Sequence, residues 1–494
     1  MEKEYTVEQL KELRLVDLRK IAKDLNIKSI TAYRKDELVE KIRRAFYKLK
    51  KDEELEKEEL NQQYQNDNND YEENKYSYKD EYDEEYSQDY KEDSEDDYYY
   101  EEDEDKDDTF DLGKKFDTSG LLILHPDGFG FLKTKLYYNS NDDIYVSPTQ
   151  IRRFKLKTGD FIEGIARVKR DKDKFSPLIF VKTVNGISPI DSYNRDNFED
   201  LTPIFPDRKI KLEISKEDYA QRIVDLVSPI GRGQRGLIVS PPKAGKTTLL
   251  KAIEKSIERN NPDIKVIVLL IDERPEEVTD IKRFVNQYRD ENDEFLKTEV
   301  VASTFDEVPQ NHIDTSELVI ERAKRLVEAG GNVVILLDSI TRLSRAYNIM
   351  TPQSGRTLSG GLDPMALVGP KKFFGAARNI ENGGSLTIIA TTLVDTGSRM
   401  DDMIFEEFKG TGNMELHLDR SLAEKRIYPA VNIFKSGTRR DDLLQDEEEI
   451  ECMFKLRNMQ NDEDNTTIKE FIKWIKRTNS NDQFKKLINK QFES

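Results

Sequence analysis

Cysteine is almost absent. Cys452 is the only one in 494 residues, which excludes an internal disulfide framework and a zinc ribbon or finger. Histidine is nearly as scarce, and His125, His312 and His417 lie far apart in the sequence, so a histidine-rich metal site is not expected. Long hydrophobic runs are missing too. Val266–Ile271 and Val333–Leu337 fall far short of the roughly 20 apolar residues that cross a bilayer. The N-terminus, MEKEYTVEQL, lacks the apolar core of a secretory leader. The expectation is a soluble cytoplasmic protein with no membrane partner.

What is present in excess is acid, with 98 Asp and Glu against 79 Lys and Arg and a net charge of −19. Such a balance argues at first against nucleic acid, whose binders usually carry a basic footprint. The acid is localised, however. Residues 1–50 hold 14 basic and 9 acidic side chains, whereas residues 51–110 hold 6 and 28. The second stretch also contains 10 of the 21 tyrosines and almost no Leu, Ile or Val after Leu60. It cannot bury enough apolar surface to offset its chain entropy, so disorder is expected there. Two readings stay open: a solvated linker, or a segment that self-associates or competes for basic surfaces. The remaining 384 residues are close to neutral.

Residues 1–50 read as a small helical unit. Thr6 and Gln9 form a candidate capping box ahead of Leu10, Leu13, Leu15 and Leu18. Leu38, Val39, Ile42, Ala45 and Phe46 make one stripe of a second helix. From about Phe116 to 190 the pattern becomes short alternating runs with Gly turns, which suits an oligonucleotide-binding barrel. Phe129 and Phe131 share a face by the period of two. With Tyr145 and Phe175, and with Lys133, Arg152, Arg153, Arg167, Lys169 and Arg170, they form a stacking-plus-charge surface suited to single-stranded nucleic acid. The pattern fits equally well an ordinary barrel core with a basic rim. A linker is expected over 191–220.

Beyond it, over 221–494, the stretch GLIVSPPKAGKTTLL sets an apolar strand before a phosphate loop ending Gly245–Lys246–Thr247. Loop N–H groups cradle phosphates, Lys246 would reach the terminal ones and Thr247 would ligate Mg²⁺. Ser240 departs from the strict pattern by standing at the first glycine position. Two further apolar strands end in acids, KVIVLLIDE at Asp272–Glu273 and NVVILLD at Asp338. In a buried parallel sheet ligands gather at the carboxyl ends of strands. Asp338 therefore suits the Mg²⁺-linked carboxylate, and Glu273 the group that orients and deprotonates water.

The stretches DGFGFLK, DDIYVSPTQIRRF, SPIGRGQRGLIVSPPKAGKT, LLIDERPEEVTD, LLDSITRLSRAYN, SLTIIATTLVDTGS and SGTRRDDLL resemble the bacterial Rho transcription termination factors. The likeness runs from about Leu121 to the C-terminus and is weaker over residues 6–50. It implies an α/β RecA-like P-loop ATPase core preceded by a small helical unit and an all-β OB barrel. It also implies a homohexamer that uses ATP and Mg²⁺ to move 5′→3′ along the nascent single-stranded RNA and strip it from RNA polymerase. A transcription elongation factor as a further partner stays open.

Carried onto this chain, Lys243, Ala244, Gly245, Lys246, Thr247 and Thr248 would hold the phosphates, with Thr247 and Asp338 at the Mg²⁺. Glu273 would be the catalytic glutamate, Arg439 an arginine finger reaching a neighbour's ATP, and Arg426 a second arginine near the γ-phosphate. Tyr428 would pack on adenine, while Arg274 and Arg342 would link the pocket to the ring interior. Phe129, Phe131, Lys133, Asp143, Tyr145, Arg153 and Phe175 would form the primary RNA site. Arg356 and Ser359, in Pro352–Asp363, would contact RNA in the pore, as would Arg399 in Asp395–Asp402, where the family usually has Lys. The likeness covers neither residues 51–110 nor a polar insert at about Asn286–Lys297, which reads as a surface loop.

Two other classes compete with this reading. A rotary-type ATPase subunit would share GRGQRG before the phosphate loop but would need no stacking barrel. An RNA-binding regulator without turnover would require a broken catalytic set.

Overall fold

The computed structural model describes residues 114–494 except 139, 171–172, 288–297, 353, 460–465 and 492–494, together with Leu18, Ala22, Lys35, Val39, Lys41 and Ile42. Those six early residues are helical, and Leu18, Ala22, Val39 and Ile42 are buried. The Thr6–Gln9 box, the acidic stretch 51–110 and most of the polar insert lie outside the described residues.

Five strands close a barrel in the order β1-β2-β3-β5-β4: β1 (Lys115–Leu124), β2 (Gly130–Lys133), β3 (Ile144–Val146), β4 (Phe161–Arg167) and β5 (Ser176–Val184). Alternation sends Leu122, Leu132, Ile144, Val146 and Ile162 into an apolar interior, and register shifts between β4 and β5 bring both Leu178 and Val181 to the same side. Each such buried aliphatic contributes about 1.5–3 kcal/mol. Half of the run DDIYVSPTQIRRF turns out helical. Ser147 caps α1 (Pro148–Arg153) by accepting from the Gln150 N–H, and Pro148 occupies the first turn, where a missing N–H costs nothing.

The stretch expected as a linker is packed rather than loose. It begins inside α2 (Pro189–Tyr193) and holds a 3-10 turn and β6 (Pro203–Ile204). Phe198 is buried in the core of the larger domain. Arg195 reaches Asp160 of the barrel at 2.6 Å and Glu328 of the larger domain at 3.1 Å.

That domain is a sheet in the order β14-β13-β7-β12-β10-β8-β9, sandwiched by helices. Its strands are β7 (Arg235–Ser240), β8 (Ile264–Glu273), β9 (Glu299–Thr304), β10 (Asn332–Asp338), β11 (Arg378–Ile380), β12 (Ser385–Leu393), β13 (Met414–His417) and β14 (Gly437–Thr438). The helices are α3 (Tyr219–Val227), α4 (Lys246–Asn260), α5 (Pro275–Asn286), α6 (Pro309–Glu328), α7 (Ile340–Met350), α8 (Val368–Gly375), α9 (Arg399–Lys409), α10 (Arg420–Glu424), α11 (Glu447–Asn458), α12 (Thr466–Arg477) and α13 (Asn481–Gln491). From β13 to β9 the pairing is parallel, and β14 runs antiparallel to β13. Two apolar layers, one on each face of the sheet, explain why β8, β10 and β12 read as unbroken apolar runs. The barrel sits on α6, so closely that a Cβ at Gly159 would lie 2.5 Å from the Glu321 carbonyl carbon.

Candidate functional site

The phosphate loop joins β7 to α4. Lys243 (φ 63) and Gly245 (φ 93) are left-handed, which turns successive N–H groups toward one point, as an anion nest requires. Gly245 is the N-cap of α4, so the helix adds its positive end at the same place. Ala244 is buried beneath the loop, Thr247 is half-buried on the first turn of α4, and Lys243 and Thr248 are exposed.

Lys246 bridges the two acids. Its Nζ donates to Glu273 Oε1 at 3.0 Å and to Asp338 Oδ1 at 2.5 Å. Burial works against the ammonium, yet Asp338 and Glu273 outweigh it and raise its pKa. Burial, and then the neighbouring Asp338, raise the Glu273 carboxyl above its usual range, against Lys246 and Arg342. Sequence reasoning missed two supports of this cluster. The Thr391 hydroxyl donates to Asp338 Oδ1 at 2.7 Å; it stands in the polar end of LTIIATTLVD, the signal that could have singled it out. Asp272, at φ 57, holds Arg342 Nη1 at 2.6 Å, and the Arg342 Nε stands 3.7 Å from Glu273 Oε1. A register shift in β8 falls between Ile271 and Glu273, and such bulges re-aim a side chain next to a site.

Tyr428 flanks the loop, since a Cβ at Gly245 would lie 3.8 Å from Tyr428 Cε1. Its ring is half-exposed and available for stacking. Arg426, also left-handed, stands exposed two residues earlier on the same turn. Arg274 is exposed at the N-cap of α5. Arg439 is not brought to this pocket. It follows Thr438, which is level with Met414 and, through it, with Gly236 near the start of β7. Four residues of strand, roughly 13 Å, separate that level from the start of the phosphate loop. There Arg439 neighbours Arg235, whose pKa is lowered by burial and then by Arg378 and Arg439.

Among the described residues, no group of three or more His, Cys, Asp or Glu side chains could cage a metal. The oxygen donors present, Thr247 and Asp338, fit Mg²⁺, which binds through one or two carboxylates plus substrate phosphates rather than in a protein cage.

On the barrel, Phe129, Phe131, Tyr145 and Phe175 form one cluster outside the apolar interior, each partly exposed. Phe131 meets Phe175 at 4.7 Å, Phe129 at 5.6 Å and Tyr145 at 6.1 Å between ring centroids. The rings are therefore not barrel core. Lys133 pairs with Asp143 at 2.6 Å beside them. Among the described residues the other Asp143 oxygen, Oδ1, is buried and meets no hydrogen-bond donor, which leaves it an open acceptor. Arg153 lies on α1 and stacks on Phe154 at 5.4 Å.

The two candidate pore loops touch. A Cβ at Gly360 would lie 2.4 Å from the Met400 nitrogen and 2.7 Å from the Arg399 carbonyl carbon. Ser359 and Arg399 are thus neighbours, while Arg356 is exposed on the same loop as Ser359. Arg345 pins the second loop through Asp401 (2.8 Å) and Ser398 (2.9 Å).

Three family models match the chain: the N-terminal domain of the Rho termination factor over residues 9–46, its RNA-binding domain over 118–190, and the nucleotide-binding domain of the ATP synthase alpha/beta family over 220–438. Transcription termination factor Rho of Bacillus subtilis (strain 168) is 54% identical over 373 residues, 76% of this chain and 84% of that relative. The chain belongs to the Rho transcription termination factor family. The Rho of Aquifex aeolicus (strain VF5) is 44% identical over 490 residues and covers 98% of this chain and 96% of its own. The Rho of Pseudomonas aeruginosa PAO1 is 54% identical over 378 residues, 75% of this chain and 88% of the relative. The Rho RNA-binding match contains all the aromatic and charged barrel residues described above. The ATPase-type match contains Lys246, Glu273 and Asp338, and Arg439 stands one residue beyond it. The Rho-family core is thus an ATP-hydrolase-type P-loop domain behind an RNA-binding barrel.

Proposed function

We infer that this chain is an RNA-dependent ATPase that works as a homohexameric ring in the cytoplasm, moves 5′→3′ along nascent single-stranded RNA and terminates transcription by RNA polymerase. The observation that carries the reading is the pairing of an outward aromatic cluster with a Lys–Glu–Asp nucleotide pocket in one polypeptide. Bases stack on Phe129, Phe131, Tyr145 and Phe175 whatever their identity. The donor-poor Asp143 oxygen selects a base with an exocyclic amine facing it, as cytosine offers.

In the pocket, the loop N–H groups and Lys246 hold the phosphates, and Glu273 accepts the proton of the attacking water. Thr247 and Asp338 are the oxygen donors that would hold Mg²⁺ with the nucleotide, and the ion would supply neutralisation of phosphate charge. Nucleotide entry draws Lys246 away from Glu273 and frees the carboxylate to act as base. Arg439, too far from its own loop, serves the pocket of a neighbouring subunit, which makes turnover depend on ring geometry. Ser359, Arg356 and Arg399 grip RNA in the pore. A rotary subunit would have no use for the aromatic cluster.

The test is ATP hydrolysis by the full chain with and without single-stranded, cytosine-rich RNA. Strong stimulation is expected, and it should disappear in the double variant Phe129→Ala, Phe131→Ala. Hydrolysis that ignores RNA would refute the reading.

A further inference from the structure

The connection between β2 and β3 does more than close a hairpin. It leaves β2 just after Lys133 and returns at Asp143, the two residues that pair beside the aromatic cluster. Between them Leu136 is left-handed, at φ 57, and Lys135 bridges to Tyr138, which makes a short, shaped tongue. Its tip reaches the ATPase sheet. The Tyr137 hydroxyl donates to Glu299 Oε2 at 2.5 Å, and Glu299 also takes Lys265 of β8 at 3.1 Å. Burial and then Glu299 raise the Tyr137 phenol well above its usual range, so the O–H stays a donor.

Tyr138 makes a less common contact. Its hydroxyl donates to the Ala302 carbonyl (3.2 Å) and accepts from the Ala302 N–H (3.1 Å). Among the described residues β9 is the last strand of the sheet, so these outward groups of Ala302 meet no strand there, and a single phenol satisfies both. Two residues on, Thr304 pairs with Glu273, and the Phe305 N–H donates to the Glu273 carbonyl at 3.2 Å. The strand that seats the backbone of the catalytic glutamate is therefore held, two residues away, by a loop whose two ends carry the RNA site.

We propose that Tyr137 and Tyr138 are positioning residues that transmit RNA occupancy of the barrel through β9 to Glu273. RNA that engages Lys133, Asp143 and Tyr145 shifts the roots of the tongue, and the phenol moves the end of β9 with it. The inference rests on the reading of the barrel as an RNA site and of Glu273 as the catalytic base.

The test compares Tyr138→Phe with the unaltered full-length protein, using a cytosine-rich RNA oligonucleotide. The phenyl ring stays; only the hydroxyl goes. The expected result is an RNA-stimulated kcat lower by at least about fivefold, the lower end of allosteric coupling. Hydrolysis without RNA, the KM for ATP and RNA affinity by fluorescence anisotropy should be unchanged. Tyr137→Phe should act in the same direction. A stimulated kcat equal to that of the unaltered protein would overturn the proposal, and so would an equal loss with and without RNA, the mark of a purely structural role. If RNA fails to stimulate the unaltered protein, the functional reading itself fails, which is a distinct outcome.

Discussion

Glu273 carries the sharpest consequence at the scale of single residues. A base must be ionised to take a proton, and burial together with Asp338 raises this carboxyl. Activity should therefore be complete above the raised pKa and fall as pH drops through it. We expect the acid limb of kcat/KM to lie above the value of about 4.3 for an ordinary glutamate. In Glu273→Gln that limb should vanish and turnover should drop by roughly 10²–10⁴-fold, the usual contribution of a general base. A limb at the ordinary value would show that the carboxylate is not held as the structure holds it. Lys246, Glu273 and Asp338 were all legible in the sequence because a phosphate loop and strand-end acids are local patterns. For Thr391 only the polar end of its strand was legible; its bond to Asp338 depends on β12 lying between β7 and β10, an order that no local spacing encodes.

Among elements, the contact between the two candidate pore loops is the most exposed to test. Gly360 is at φ 78, and its missing Cβ lets the loop lie on the start of α9. Gly360→Ala both strains the backbone, at a cost of about 1 kcal/mol or more, and drives the loops apart. We expect RNA-stimulated hydrolysis to fall severalfold while RNA binding to the barrel, followed by anisotropy, stays constant. Loss of both would place the loop contact among general stabilising features. Short alternating runs with glycine turns marked the barrel and unbroken apolar runs marked the parallel sheet, while the two loops were marked only by the family resemblance. The sequence did not mark the packed stretch around Arg195 and Phe198, because polar, Pro-containing chain reads as a linker until its partners Asp160 and Glu328 are brought to it from distant positions. The tongue escaped notice for a similar reason: two adjacent tyrosines in a hairpin carry no periodic signal.

For the whole molecule, the position of Arg439 turns chemistry into a question of assembly. A ring built of Arg439→Ala chains should bind ATP but not turn it over, and so should one built of Glu273→Gln chains. In the proposed ring, mixed assemblies would place the intact Arg439 of one chain beside the intact Glu273 of the other. Mixing the two inactive proteins should therefore restore hydrolysis; a mixture that stays inactive would return Arg439 to its own pocket. Assembly of this kind has a hazard, since β-rich subunits held close together can join strand to strand into fibres. Both sides of this sheet are defended against it. The strand on one side, β14, is two residues long, and on the other the Tyr138 hydroxyl already occupies the backbone of Ala302. A tyrosine that couples two functions also denies a template to an incoming strand, so its loss should be felt in solubility as well as in turnover.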